Sequence, residues 1–253
     1  EGGRASSYLA VEGHADPRAV TPALAEAARG QGVQVVTGCR VRAIERRAGG
    51  GFDVRASGGQ GYGRIVADQV LVAAGAWTAS VAALANLHIP LFPVALLMNV
   101  TEKSEPMLAQ LIQHVGRRLS MKQAYAGNIL IGGGWPSRLA QTAQGGFDLD
   151  SRSTIIPDSR GGNLRAAIDV VPRIGGLNVI RSWTGVTTVS ADQLPIVGPV
   201  SRVPGFHVAA GGSAFTLGPT FARLIARAIG GESVPELDVV SPDRFNHLNS
   251  FMG

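Results

Sequence analysis

The chain has 253 residues, 45% hydrophobic and only 16% charged, with 34 glycines; this excludes disorder as its main state and leaves room for one large or two modest domains. Its formal charge of +5 invites a nucleic-acid partner, but the basic residues are scattered, with only Arg46-Arg47 and Arg117-Arg118 adjacent, so that class is set aside. The single cysteine, Cys39, rules out an internal disulfide and any multi-cysteine metal site, and it reads as a small strand residue in a reducing, cytoplasmic setting.

Asp16-Pro17 reads as a helix entry, an N-cap followed by proline at the first helical position, with Gly30 as the stop. Pro22 either kinks that helix or makes Thr21-Pro22 its true start. Short apolar or alternating runs at Val33–Thr37, Arg40–Arg47, Phe52–Ala56 and Ile65–Ala73 predict one buried strand, then a small antiparallel meander. Val70–Ala73 ends in Ala74-Gly75-Ala76-Trp77, and a helix through Val81, Leu84 and Ala85 is expected before Pro90. Val94, Leu96, Met98 and Val100 alternate as a strand, and Met107–Ile112 is expected to be a short helix. Leu119–Tyr125 and Ile129–Gly133 should form a hairpin across Ala126-Gly127-Asn128. A helix over Asp158–Asp169 and strands over Leu177–Trp183 and Gly205–Ala210 lead to a glycine turn and a helix over Pro219–Ile229. In that helix Phe221, Leu224, Ile225, Ala228 and Ile229 make one core-facing stripe. The longest apolar runs, Val70–Ala76 and Ile89–Val100, fall short of the roughly 20 residues that span a bilayer, and no secretory signal is read.

The last quarter is the most informative. Gly211-Gly212-Ser213-Ala214-Phe215-Thr216-Leu217-Gly218-Pro219 carries a strand directly into an apolar helix. Such a turn aims free backbone N–H groups and the positive helix end at one spot, which suits an electron-rich ligand edge. His14, His88, His114, His207 and His247 are not spaced as metal ligands or as part of a nucleophilic triad; each reads as a surface or capping residue, and no metal is expected. Asp192 reads as the cap of the turn before Leu194.

Six segments share an order and spacing that cover nearly the whole chain: Glu12-Gly13-His14-Ala15-Asp16-Pro17, Ala73-Ala74-Gly75-Ala76-Trp77, Gly127–Gly133, Arg181-Ser182-Trp183-Thr184-Gly185, Asp192–Pro199 and Gly211–Pro219. In this they resemble the flavin-dependent D-amino acid oxidase superfamily, which holds glycine, sarcosine and opine oxidases and proline or hydroxyproline dehydrogenase subunits. The resemblance implies an α/β fold with a discontinuous, Rossmann-like FAD-binding domain of the glutathione-reductase type over residues 1–84 and 186–253. Between them, residues 85–185 would form a substrate domain with a mainly antiparallel sheet. It also implies FAD as cofactor and oxidation of the C–N bond of an amino acid or secondary amine, of opine, proline, sarcosine or glycine type, to an imine by hydride transfer. The family's upstream Gly-x-Gly-x-x-Gly fingerprint is not in this sequence: Gly58-Gly59-Gln60-Gly61-Tyr62-Gly63 has the wrong spacing, and Gly132-Gly133-Gly134 falls in the hairpin. The chain therefore looks like the family's C-terminal two thirds. It is expected to hold FAD poorly unless an N-terminal segment or a partner subunit completes it.

Carried over residue by residue, the resemblance places the backbone of Gly211, Gly212, Ser213, Ala214, Phe215 and Thr216 around the flavin pyrimidine ring, although a purely architectural turn would read the same way. Ala74, Gly75 and Trp77 fall near the phosphates or ribityl chain, or else the small residues only let the next helix pack closely. Val41 matches the position whose backbone faces the adenine, and Gly185 is counted with the cofactor contacts. Where glycine oxidase-like members have Gly-Leu-Arg-Pro, with the arginine on the substrate carboxylate, this chain reads Gly185-Val186-Thr187-Thr188. Another cation, such as Lys122, Arg138 or Arg181, must then hold the acid, or the substrate differs. Lys122, Gln123, Trp135 and Thr187 are the candidate pocket residues, with ordinary sheet packing as the alternative. Two rival functions fit the same residues: a catalytically silent fragment or subunit, and a flavin oxidoreductase acting on a 2-hydroxy acid.

Overall fold

The computed structural model describes residues 7–11, 13–59 and 63–246; Glu12 of the first motif, Gln60, Gly61 and Tyr62 of the glycine run, and His247 lie outside the described residues. The chain divides into two compact units, one of residues 1–35 with 95–185 and one of residues 36–94 with 186–253.

Helix α1 (Pro17–Gly30) starts where expected, with the Asp16 carboxylate accepting from the Arg18 N–H at 2.9 Å, and Pro22 sits inside it rather than opening it. Val33–Thr37 is not a strand. Val33, Val35 and Val36 are 53%, 36% and 38% exposed, because no neighbouring strand among the described residues takes up this run as a ladder. The meander forms: β1 (Cys39–Arg46), β2 (Phe52–Gly58) and β3 (Arg64–Ala67) pair antiparallel in that order. The expected Ile65–Ala73 strand breaks at Asp68-Gln69, and its second half, β4 (Val70–Val72), joins a different sheet. A 3-10 turn over Gly75–Trp77 leads into α2 (Thr78–Ala83), and then β5 (Leu91–Lys103) alternates as expected.

Met107–Ile112 is not helical. The N–H groups of Met107 and Leu108 instead donate to Gln123 Oε1, at 2.8 and 3.1 Å, a side-chain partner that competes with helix formation. Ile112 enters β6 (Ile112–His114), and β7 (Leu119–Gln123) and β8 (Asn128–Gly132) form the expected hairpin. The short pair β9 (Ala140–Gln141) and β10 (Phe147–Asp148) precedes α3 (Pro157–Val170). Strand β11 (Val179–Ser190) runs well beyond Trp183. Strands β12 (Ile196–Pro199) and β13 (Phe206–Ala210) then lead to α4 (Ala214–Ile229), which begins before Pro219 rather than at it. Pro219 is thus inside the helix, past its first turn, where its missing N–H leaves the Phe215 carbonyl without its usual helical donor.

In the unit built on residues 95–185, the sheet order is β11-β5-β8-β7-β6. Its buried side packs Met121, Ile129 and Ile131 with Ala167 of α3 and with Ile174. In the other unit, β13 lies between antiparallel β12 and parallel β4. Phe206 and Val208 of β13 face a core with Phe52 and Leu87, the rings of Phe52 and Phe206 meeting edge-on at 6.0 Å. Val197 of β12 packs under Leu224 and Ile225 of α4, the centre of the predicted stripe. Among the described residues, no helix is long and apolar enough to cross a membrane, and no group of three or more His, Cys, Asp or Glu could hold a metal ion.

Candidate functional site

Strands β4 and β13 run parallel with Val72 opposite Val208, so their C-terminal ends lie at one edge of the sheet. Two glycine turns leave from that edge. Open α/β sheets bind ligands at the carboxyl ends of parallel strands, where turns expose backbone groups. After β4 comes Ala74-Gly75-Ala76-Trp77, in which Gly75 holds φ +53° and a Cβ added there would meet nothing within 4 Å. Close packing of α2 therefore does not account for Gly75, and its left-handed backbone does. Trp77 is 40% exposed.

After β13, Gly211 holds φ +121°, and a Cβ there would stand 2.8 Å from Pro195 Cα. Ser213 holds φ 59° and its side chain makes no capping hydrogen bond. The first turn of α4 therefore presents the N–H groups of Ala214, Phe215 and Thr216 without a side-chain cap, and Ser213–Thr216 are exposed. An uncapped helix start beside a second glycine turn fits a ligand with an oxygen- and nitrogen-rich edge, as the pyrimidine side of a flavin has. The structure thus brings together Ala74, Gly75 and Trp77 with Gly211–Thr216. Val41 lies elsewhere in this unit, paired with Ala56 in the meander and packed against the core.

The residues proposed for the pocket do not share one face. Met121 points into the core beside α3, so Lys122, its strand neighbour, points to the opposite face, half-buried. Asp16 lies close enough to feel Lys122: its carboxyl is pulled down to about 2, mainly by hydrogen bonds from Arg18 and in smaller part by the Lys122 charge. Gln123 is occupied otherwise. Besides accepting from Met107 and Leu108, its amide nitrogen lies within hydrogen-bond reach of the carbonyls of Ser104, Glu105 and Gly127 at 3.2, 3.1 and 3.0 Å. The Trp135 ring lies against Gly162 of α3, where a Cβ would come within 2.4 Å of it, and its Nε1 is buried with no partner among the described residues. Thr187 is half-buried on β11 and Gly185 is exposed. Arg138 and Arg181 are exposed, unlike Lys122.

Asp192 accepts the Leu194 N–H at 3.1 Å, the expected cap, and also receives Arg244. The Arg244 guanidinium, followed by hydrogen bonds from Ser190 and the Leu194 N–H, holds the Asp192 carboxyl far below the usual carboxylate range. A turn aspartate signals a cap, but nothing near it in sequence points to a partner 52 residues away. His114 is a cap, accepting the Arg117 N–H at 3.3 Å. His207 is not a surface or capping residue: it is 4% exposed, with Nε2 2.7 Å from Gln69 Oε1. It sits on the face of β13 opposite Phe206 and Val208, a placement that the alternation of the strand already determines.

Comparison with known proteins gives the family. The family model described as FAD dependent oxidoreductase (DAO) matches residues 2–228. An opine oxidase subunit of Rhizobium meliloti is 31% identical over 242 residues, covering 95% of this chain and 59% of that protein. The hydrogen cyanide synthase subunit HcnC of Pseudomonas aeruginosa is 31% identical over 196 residues, covering 77% of this chain and 43% of that protein. The crystal structure of L-proline dehydrogenase from P. horikoshii superposes with a TM-score of 0.77 at 21% identity, covering 92% of this chain and 60% of that one, a likeness of fold. The chain thus spans no more than about 60% of the length of these relatives. With a family match over most of its length, two glycine turns at one sheet edge and an uncapped helix start, this chain belongs to the FAD dependent oxidoreductase (DAO) family.

Proposed function

We propose that the protein carrying this chain oxidises the C–N bond of an amino acid or secondary amine, of opine, proline, sarcosine or glycine type, to an imine that water hydrolyses. The observation that carries this proposal is the pair of turns at the carboxyl ends of β4 and β13, with the exposed first-turn N–H groups of α4 beside them. Bound FAD would supply the two-electron acceptor, taking a hydride from the carbon beside the neutral amine.

The chain's own contributions are positional and electrostatic. The N–H groups of Ala214, Phe215 and Thr216 would donate to the electron-rich edge of the cofactor, held in place by the helix behind them. Gly211 and Gly212 let that backbone come close, and the turn of Ala74, Gly75 and Trp77 would take the more polar part of the cofactor. In this scheme residues 36–94 and 186–253 would bind the cofactor, and residues 95–185 would carry substrate-binding side chains. Lys122 would hold the substrate carboxylate in place of the arginine that Thr187 replaces, since of Lys122, Arg138 and Arg181 it is the half-buried one. A segment outside this chain, or a partner subunit, would supply the dinucleotide fingerprint. The opine oxidase and hydrogen cyanide synthase relatives support this, since each is named as one subunit of its enzyme.

The test is an anaerobic titration of the complete protein, loaded with FAD, against proline, an opine, sarcosine, glycine and a 2-hydroxy acid. The flavin absorbance should bleach with at least one amine. Bleaching by the hydroxy acid alone, or by none of the set, would overturn the proposal.

A further inference from the structure

The guanidinium of Arg244 meets the Asp192 carboxylate with two prongs, Nε to Oδ2 at 2.8 Å and Nη2 to Oδ1 at 3.1 Å. Nη2 also reaches the carbonyl of Leu194 at 3.3 Å, Nη1 donates to the carbonyl of Ser241 at 2.9 Å, and the group lies 4.3 Å over the ring of Phe245. The Arg244 side chain is 16% exposed and that of Asp192 36%, so what sets this pair apart from a loose surface contact is its two-pronged geometry and the further hydrogen bonds on both partners rather than burial. On the other side, Asp192 Oδ1 accepts the Leu194 N–H and stands 2.6 Å from Ser190 Oγ. Between these contacts the turn Ser190–Pro195 has little freedom left, although Gln193 within it holds a left-handed φ of 63°.

That turn is the wall against which the glycine turn rests. A Cβ at Gly211 would stand 2.8 Å from Pro195 Cα, one at Gly212 would stand 3.8 Å from the Gln193 carbonyl oxygen, and Ile196 pairs with Ala210. Any shift of Gln193–Pro195 is therefore passed to Gly211–Gly212 and on to the first turn of α4. Backbone donors stabilise charge only as well as they are held in advance.

We infer that Arg244 and Asp192 are positioning residues for the cofactor: their pair sets where the N–H groups at the start of α4 stand, and so how strongly the reduced flavin is held relative to the oxidised one. This rests on the flavin seat proposed above. A pair that served only as scaffold would change stability and leave the redox balance of the bound cofactor alone.

The test uses the complete, FAD-loaded protein and the variants Arg244→Gln, Asp192→Asn and Arg244→Lys, reading the reduction potential of the bound flavin, its absorbance spectrum and the melting temperature. Arg244→Gln and Asp192→Asn should each weaken binding of reduced relative to oxidised FAD about tenfold, a fall of about 30 mV for a two-electron couple, and should shift the flavin bands. Arg244→Lys, which keeps a point charge but not the fork, should lie between them and wild type, and it remains informative if Arg244→Gln does not fold. Because the two residues act as one pair, the double variant should shift the potential no further than a single one. Potentials and spectra equal to wild type in FAD-loaded variants, with only the melting temperature lowered, would overturn this inference and leave the proposed function standing. A wild-type protein that takes up no FAD would overturn both.

Discussion

Asn99 Nδ2 donates to Asn163 Oδ1 at 2.9 Å, and both side chains are 0% exposed. The pair joins β5 to α3 and continues at each end: Asn163 Nδ2 donates to the Gly132 carbonyl at 2.9 Å, and Ser182 Oγ donates to Asn99 Oδ1 at 2.7 Å. Replacing Asn163 with Leu leaves the Asn99 amide and the Gly132 carbonyl buried without these partners, each at about 1–3 kcal/mol. Asn163→Leu should therefore be strongly destabilised, and the double variant Asn99→Leu/Asn163→Leu should lose less than the sum of the two single changes. Urea unfolding of the four proteins in the cycle measures this, and strict additivity would show that the two amides are not coupled.

Gly211 offers a sharper test of the glycine turn. Its φ of +121° and the 2.8 Å approach of a Cβ to Pro195 Cα leave no space for alanine unless the backbone moves. Gly211→Ala should lower retention of FAD by the complete protein tenfold or more, read by gel filtration and flavin absorbance. Gly218→Ala, where a Cβ meets nothing within 4 Å, is the matched control and should retain it. Equal retention in the two variants would remove Gly211 from the cofactor seat.

Much of the fold was legible wherever one local signal determined an element. Asp16-Pro17 and Gly30 bound α1, and the stripe through Leu224 and Ile225 located the buried side of α4. The misses each have their own physical reason. Val33–Thr37 has the alternation of a strand but finds no ladder among the described residues. Met107–Ile112 has helical spacing, but its first N–H groups are taken by Gln123 from another strand. Proline favours the first position of a helix, which points to Pro219 as the start, whereas the left-handed Ser213 already starts the helix. The glycine motifs announced the candidate site; the Arg244–Asp192 pair that braces it joins residues 52 apart, and no local pattern encodes that.

His207 gives the protein an acid-sensitive element. It is buried on β13, its Nε2 faces Gln69 Oε1, its Nδ1 is buried with no partner among the described residues, and Gln69 in turn donates to the Ile229 carbonyl at the end of α4. Burial disfavours the charged ring and lowers its pKa below the ordinary value of 6.5. The unfolded chain therefore binds the proton more readily, so stability is fully present above about pH 6.5 and is lost as pH falls through the lower, folded value. One proton limits the slope to about 1.4 kcal/mol per pH unit. Wild type should lose stability between pH 7 and pH 5 more steeply than His207→Gln, as read by urea midpoints across that range. Parallel slopes would mean that His207 binds its proton equally well in the folded and the unfolded chain, so that its burial carries no acid sensitivity.

Lys122 carries the prediction that bears most directly on substrate. It lies on the side of the β7–β8 hairpin away from α3, half-buried, opposite Leu130 and close enough to Asp16 to lower that carboxyl. If it replaces the arginine missing after Gly185, its charge acts on the carboxylate of the bound amino acid, an interaction present in both ground and transition states. Lys122→Met keeps the apolar stem and removes the charge, so KM for a carboxylated amine should rise tenfold or more while kcat changes little. Lys122→Arg should recover most of the affinity, since guanidinium pairs with carboxylate at least as well as ammonium does. The discriminating measurement is the same kinetics on an amine without a carboxylate. That substrate should be insensitive to Lys122→Met, and an equal rise in its KM would show that Lys122 shapes the sheet rather than binding the acid.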